Sequence, residues 1–179
     1  MSVPFFRLAS VTYKAFKKTK INFWDASTIK TKVHPNDLDI NVHMNNARYS
    51  TMFDLGRFDF LVRTGLIKLI WKEKWRPVIG STMVSYLKSL KLYEKFIVST
   101  KVVYFDDKWF YLEHLLKKDN DLMARAFVKC LFLQKGKKIP TQNLLEALHC
   151  DFIPPLTPPP ALISWLKAEE ELKQHAPNH

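Results

Sequence analysis

Between Asn45 and Gly65 the chain carries one helical pattern without a break, and almost everything from residue 78 to residue 134 alternates like extended strand. One long apolar helix followed by strands on short turns leaves few ways to build a core. The sheet must be antiparallel, and its concave face must close on that helix. Within the helix, Ala47, Tyr49, Met52, Phe53, Phe60 and Leu61 fall mostly on one face at spacings of three and four. Asn45 and Asn46 are N-cap residue types, and Gly65 can supply the left-handed residue that closes the helix near Thr64.

The strands can be read in order. Residues 27–34 alternate ahead of Pro35, and residues 66–76 form a turn and short helix before Pro77 restarts extended chain. Residues 78–90 and 92–105 are rich in Val, Ile, Tyr, Phe and Thr; the Asp106-Asp107-Lys108 turn leads to 109–116, and a turn over 117–121 leads to 122–134. Residues 135–138 read as a basic turn around Gly136, and 141–149 as a short helix that Thr141 can cap. The fold class is therefore α+β, an antiparallel sheet wrapped around a long central helix. A single such layer leaves edges and one sheet face uncovered, so a homodimer or a dimer of dimers is expected.

Three segments follow from this order: a basic amphipathic extension at 1–24, a folded domain at 25–150, and a proline-rich linker with a C-terminal helix at 151–179. The extension has five basic residues and no acidic one, with Val3, Phe5, Phe6, Leu8, Val11, Tyr13 and Phe16 among them. Arg7 and Lys14 interrupt any run that a secretory signal would need. The segment reads as a helix packed across the domain or as one lying on an anionic membrane surface, with an organelle-targeting peptide as a third option. Pro154, Pro155, Pro158, Pro159 and Pro160 make the linker stiff. After it, Leu162, Trp165, Leu166 and Leu172 share one side of a helix.

Composition narrows the function. Four glycines in 179 residues argue against a phosphate-cradling loop. Cys130 and Cys150 show no metal-ligand spacing and fit a reducing, cytoplasmic setting. The formal charge of +11 draws any anionic partner, whether nucleic acid, lipid or coenzyme A, but no nucleic-acid module accompanies it.

The chemistry-bearing stretch is the polar loop ahead of the helix. Asp39, Asn41 and His43 alternate, so in an extended conformation they leave the backbone on one side while Ile40, Val42 and Met44 leave on the other. A carboxylate, an amide and an imidazole then converge beside the positive end of a helix, whose free N–H groups can hold a developing negative charge.

The string Asp37-Leu38-Asp39-Ile40-Asn41-Val42-His43-Met44-Asn45-Asn46-Ala47-Arg48-Tyr49 resembles the signature of hotdog-fold thioesterases. It is similar to the 4-hydroxybenzoyl-CoA thioesterase-like group and the plant acyl-carrier-protein thioesterases, and most similar to the thioesterase superfamily member 6 type family. The likeness is sharp over these thirteen residues and extends in element order from about residue 27 to about residue 136. It implies a hotdog fold, pairing of two subunits, and hydrolysis of an acyl thioester on coenzyme A or acyl-carrier protein, with a fatty acyl group favoured and no cofactor or metal. Asp39 is the candidate base or nucleophile, and the resemblance implies that Asn41 and His43 position the water or thioester and share the proton. The backbone N–H groups near Asn45 and Asn46, Asn46 above all, are the candidate oxyanion donors. Two rivals stay open: a hotdog enoyl-thioester hydratase, whose motif also joins Asp, Asn and His, and a non-catalytic acyl-binding or membrane-surface protein.

Taken singly, these loop residues also suit turns and caps, and Asp37 and Asn45 are assigned to structure. His114 and His34 read as satisfied histidines. Asp54 and Asp59 lie on the helix, but the sequence does not fix which way they point. Arg48, Arg57, Lys88, Lys91, Lys137 and Lys138 are ordinary solvated cations or phosphate contacts.

Overall fold

A computed structural model of the chain describes residues 5–150, 154 and 156–175, with the side chains of Phe5 and Phe6 outside that description. Of the expected N-terminal extension and proline-rich linker, residues 1–4, 151–153 and 155 lie outside the described residues, as do 176–179. The elements run α1 (Phe5–Lys17), β1 (Ser27–Lys32), a 3-10 turn (Pro35–Asp37), α2 (Asn46–Arg63), α3 (Leu66–Glu73), β2 (Arg76–Tyr86), β3 (Lys95–Phe105), β4 (Phe110–Lys118), β5 (Asp121–Gln134), β6 (Lys137–Ile139), α4 (Thr141–Ala147) and α5 (Pro160–Gln174).

The helical pattern becomes α2, and its ends are set by the residues expected to set them. The Asn45 side chain accepts a hydrogen bond from the Ala47 N–H at 2.9 Å, and Gly65 takes φ +80° just past the C-cap Thr64. Tyr49, Met52, Phe53, Leu55, Phe60 and Val62 are all buried, which is more than one stripe. A helix enclosed by other layers must be apolar over most of its circumference.

The strands pair antiparallel throughout in the order β1-β3-β4-β5-β2, with β6 added on β5. This curled sheet around a central helix is the hotdog arrangement that the resemblance implies. On β4, Phe110, Leu112, His114 and Leu116 face the helix side, while Tyr111 faces the other way and packs with Phe127 and Leu162. Thr100, His114 and Ala126 form one line across β3, β4 and β5. Gly56 of α2 sits over that line: a Cβ there would stand 2.5 Å from Thr100 Oγ1, so only glycine lets the helix approach this closely.

Four expectations change. Residues 137–139 are not only a turn but strand β6, because the turn around Gly136 folds them back on Phe132–Gln134. Thr141 does not cap α4; its hydroxyl donates to the Asp106 carbonyl at 2.6 Å and ties the helix to the β3–β4 turn. Leu172 is 74% exposed, because α5 buries only its first half against the sheet. The outer sheet face is also not bare. The α5 helix covers part of it through Leu162, with Lys129 Nζ donating to Glu169 at 2.6 Å.

Helix α1 packs across α2 and buries Ala15, with Leu8 and Val11 against the core. Arg7 grips the buried Asp37 with two hydrogen bonds of 3.0 Å and also donates to the Lys32 carbonyl at 2.8 Å. Its other side presents exposed Tyr13 and Phe16 beside Lys14 and Lys17.

Candidate functional site

The loop between the 3-10 turn and α2 does not run extended. Leu38 bridges Met44, the Asp39 N–H donates to the His43 carbonyl at 2.9 Å, and the Val42 N–H donates to the Asp39 carbonyl at 3.1 Å. Val42 occupies the left-handed region at φ +60°. The strict alternation expected for Asp39, Asn41 and His43 is therefore broken, and Ile40 and Val42 are exposed while Met44 alone is buried. The cause is local: an aspartate carboxylate readily bonds the N–H groups just after it and closes a turn. Here Asp39 Oδ1 accepts from the Asn41 N–H at 2.8 Å and from the His43 N–H at 3.4 Å.

The three side chains make no hydrogen bonds to one another among the described residues, and Asn41 is exposed while Asp39 and His43 are half-buried. Asp39 Oδ2 has no partner among the described residues. The His43 backbone also bridges Lys91, which fixes the end of the loop to the segment before β3. Asp37, assigned to structure from sequence, is 1% exposed, accepts from the His34 N–H at 2.9 Å, and through its carbonyl receives the Asn45 N–H at 2.8 Å. At the start of α2 the Ala47 N–H is taken by the Asn45 side chain and the Arg48 N–H by the Asn45 carbonyl. No described residue accepts from the Asn46 N–H. Among the described residues, the loop thus leaves Asp39 Oδ2 and the Asn46 N–H without a partner.

A second polar group lies beneath the middle of α2. Thr100 and His114 are buried polar residues on the apolar face of their strands, and that pattern was the available signal for them. His114 meets Thr100 Oγ1 through Nδ1 at 2.8 Å and Arg57 Nη1 through Nε2 at 3.2 Å, and Phe53 stacks on its ring. Burial, with the Arg57 charge beside it, holds its pKa well below the ordinary histidine range. Arg57 also donates to Asp54, whose side chain is half-exposed. Asp59, by contrast, is fully buried and anchors α2 by accepting from Ser27 and from Lys18.

Two hollows accompany these groups, and neither is lined by Asp39, Asn41 or His43. One is an apolar cavity of 230 Å³ between α2, β2 and the inner face of β3, β4 and β5, with Asp54 and Arg57 in its wall. Cys130 lines it as well, and burial pushes its thiol up to about 12. The other is an open groove of 1040 Å³ between α1 and the β1–β3 side of the sheet, carrying Lys14, Lys30, Lys32, Lys95 and Lys117. Among the described residues no group of His, Cys, Asp and Glu is arranged to hold a metal ion.

Known proteins resemble the chain at both levels. Protein THEM6 of Drosophila melanogaster is 33% identical over 133 residues, which is 74% of this chain and 65% of that protein's length. In fold, the chain matches a Staphylococcus aureus protein solved in complex with CoA (TM-score 0.65, 19% identity, 79% of this chain and 94% of the other). It also matches a 1,4-dihydroxy-2-naphthoyl-CoA thioesterase from Synechocystis (TM-score 0.60, 16% identity, 72% and 98%). The family description that fits residues 33–166 spans the loop, α2, the whole sheet from β2 onward and the first half of α5, so the chain belongs to the thioesterase-like superfamily.

Proposed function

We propose that this protein hydrolyses an acyl thioester, on coenzyme A or acyl-carrier protein, to a carboxylic acid and a free thiol. The observation that carries this is that the loop ahead of α2 leaves both Asp39 Oδ2, on a half-buried residue, and the Asn46 N–H at the foot of α2 without a partner among the described residues. A thioester carbonyl needs a base or nucleophile on one side and an oxyanion donor on the other, and here the two are separated by a fixed turn. Asp39 either deprotonates water or attacks the carbonyl directly. Bonding of Oδ1 to two N–H groups keeps the carboxylate aimed. Asn41 and His43, on the rim of the same turn, position the water or thioester and share the proton. The superfamily membership supports the reaction class, and the similar proteins solved with CoA or acting on an acyl-CoA support the carrier.

A fatty acyl group suits the apolar surface offered by α2 and the strands. The lysines of the open groove suit an anionic carrier. The protein works as a homodimer in this reading: β2 is an edge strand of 11 residues with no charge from Pro77 to Tyr86, an edge that a lone subunit would leave open to pairing. The exposed Tyr13 and Phe16 with Lys14 and Lys17 favour a peripheral hold on an anionic membrane as well, while no helix among the described residues is long and apolar enough to cross one. Vesicle pelleting of the chain with and without residues 1–24 tests that hold; equal pelleting removes it.

The decisive experiment measures thiol release from a panel of acyl thioesters. Hydrolysis lost in Asp39→Asn supports the proposal. Hydration of enoyl thioesters without thiol release would assign the protein to the hydratase reading, and silence on both carriers would leave acyl binding alone.

A further inference from the structure

The outer face of the sheet carries an unusual charge pattern on the side of β1 and β3, away from the seat of α5. Ile29, Phe96, Val98 and Leu116 point into the core, so their strand neighbours Lys30, Lys32, Lys95 and Lys117 point outward. Register sets these lysines in two rows. Lys32 directly opposes Lys95, and Lys30, Ile97 and Lys117 form one line across β1, β3 and β4. At the usual strand spacing and rise, the four Cα atoms fall within roughly 12 Å of one another. Like charges set opposite each other across a ladder destabilise it.

These four lysines line the open groove, with Lys14 on its α1 wall, and none of the five has a carboxylate partner among the described residues. The neighbouring acids are spent elsewhere: Glu94 accepts from Lys118, Glu113 from Arg125 and Asp59 from Lys18. Arg7, also in the groove wall, is spent on Asp37. Asp119 is the only other carboxylate among the lining residues. Five lysines less Asp119 leave four positive charges without an internal counterion.

Contact with an anionic carrier asks only for negative charge, whereas two close rows of lysines ask for a high density of it. Each phosphomonoester brings about −1.5 to −2, so two or three phosphates on one small scaffold match four positive charges within the span of the rows. Concavity matters too, because a flat surface cannot fill a hollow of 1040 Å³ and a headgroup can enter it. Lys14 belongs both to this groove and to the face of α1 that exposes Tyr13 and Phe16, side chains suited to a lipid interface. We infer that the groove is a binding site for a headgroup bearing two or three phosphates, held by Lys30, Lys32, Lys95 and Lys117 from the sheet and Lys14 from α1, with the bilayer at the α1 aromatics. The inference deepens the membrane hold proposed above and rests on it only for the source of the ligand, since a free inositol phosphate shares the head chemistry.

Two measurements on the full chain test it: calorimetric titration with inositol trisphosphate, and pelleting with phosphatidylcholine vesicles that carry either phosphatidylinositol bisphosphate or phosphatidylserine at matched surface charge. The trisphosphate should bind, and the bisphosphate vesicles should pellet more protein. Lys32→Gln combined with Lys95→Gln should weaken both by roughly twenty-five-fold, at about fivefold per lysine. The melting temperature of that variant should not fall, since the pair removed is mutually repulsive. Lys137→Gln combined with Lys138→Gln, an equal loss of charge on β6, should leave both readings unchanged. Trisphosphate binding without a vesicle preference upholds the site and places its ligand in solution. Equal weakening by the two double variants overturns the inference, as does no binding of the trisphosphate. So does tighter binding of adenosine 3′,5′-bisphosphate, which would return the groove to a nucleotide-bearing carrier, or of polyglutamate, which would give it to an acidic protein. Pelleting on phosphatidylserine that depends on residues 1–24 but not on Lys32 and Lys95 keeps the general membrane hold and removes the headgroup site. Asp39→Asn should leave all these binding readings unchanged, so the hydrolase proposal stands or falls separately.

Discussion

Asn46 is the N1 residue of α2, and its backbone already has the freedom that proline needs. N1 is where a helix tolerates a missing N–H, and Asn45 before it sits at φ −58°, ψ 135°, the extended region that a residue preceding proline must adopt. Asn46→Pro should therefore leave the melting temperature close to that of the parent while, with the Asn46 N–H as the proposed oxyanion donor, kcat falls by about a hundred- to a thousandfold. His114 makes a different kind of prediction. Folded, its imidazole stays neutral, whereas unfolded it takes a proton below about pH 6.5, so the unfolded state binds more protons there. Its stability contribution is whole above that pH and is lost as pH falls below it, by at most about 1.4 kcal/mol per unit. Denaturant titrations at a series of pH values should show this slope in the parent and a shallower one in His114→Gln. At this scale the sequence was legible in kind more than in place. It marked Asp39, Asn41 and His43 together but read them as extended, because side-chain bonding to the neighbouring backbone is stronger here than alternation.

The elements were the most legible layer. Period and turn residues locate α2 and the four long strands of the second half to within a few residues, because each buries one face and that burial sets its pattern. What was missed depends on contacts far away in the chain. Strand β6 is three residues long and exists because β5 offers it an edge, and the exposure of Leu172 follows from where α5 leaves the sheet. The seat of α5 carries its own prediction. Lys129 is 7% exposed, lies 4.8 Å from the Trp109 ring and donates to Glu169 across the sheet's outer face. Glu169→Leu strands that ammonium and should cost on the order of 3 kcal/mol by equilibrium unfolding, whereas Glu170→Leu, whose side chain is 63% exposed, should cost almost nothing.

For the whole molecule, the sequence fixes one curled layer around one helix and says little about which sides remain open. The described structure separates them: α5 guards part of the outer face, whereas β2 keeps an uncharged edge. Adding a charge there is the device that natural edges use against pairing. Thr82→Lys, at an exposed position on β2, should therefore halve the mass found by light scattering, and an unchanged mass would place the subunit contact elsewhere.

The clasp of Arg7 on Asp37 joins the two ends of this design. Asp37 stands two residues ahead of Asp39, the carboxylate proposed to react, and its carbonyl holds the residue that caps the central helix. A leading helix that swings away to another surface cannot do so without unfastening the ground on which chemistry stands. In the function proposed above, docking and turnover are on that account mechanically linked, and removing residues 1–24 should be felt in rate as well as in vesicle binding.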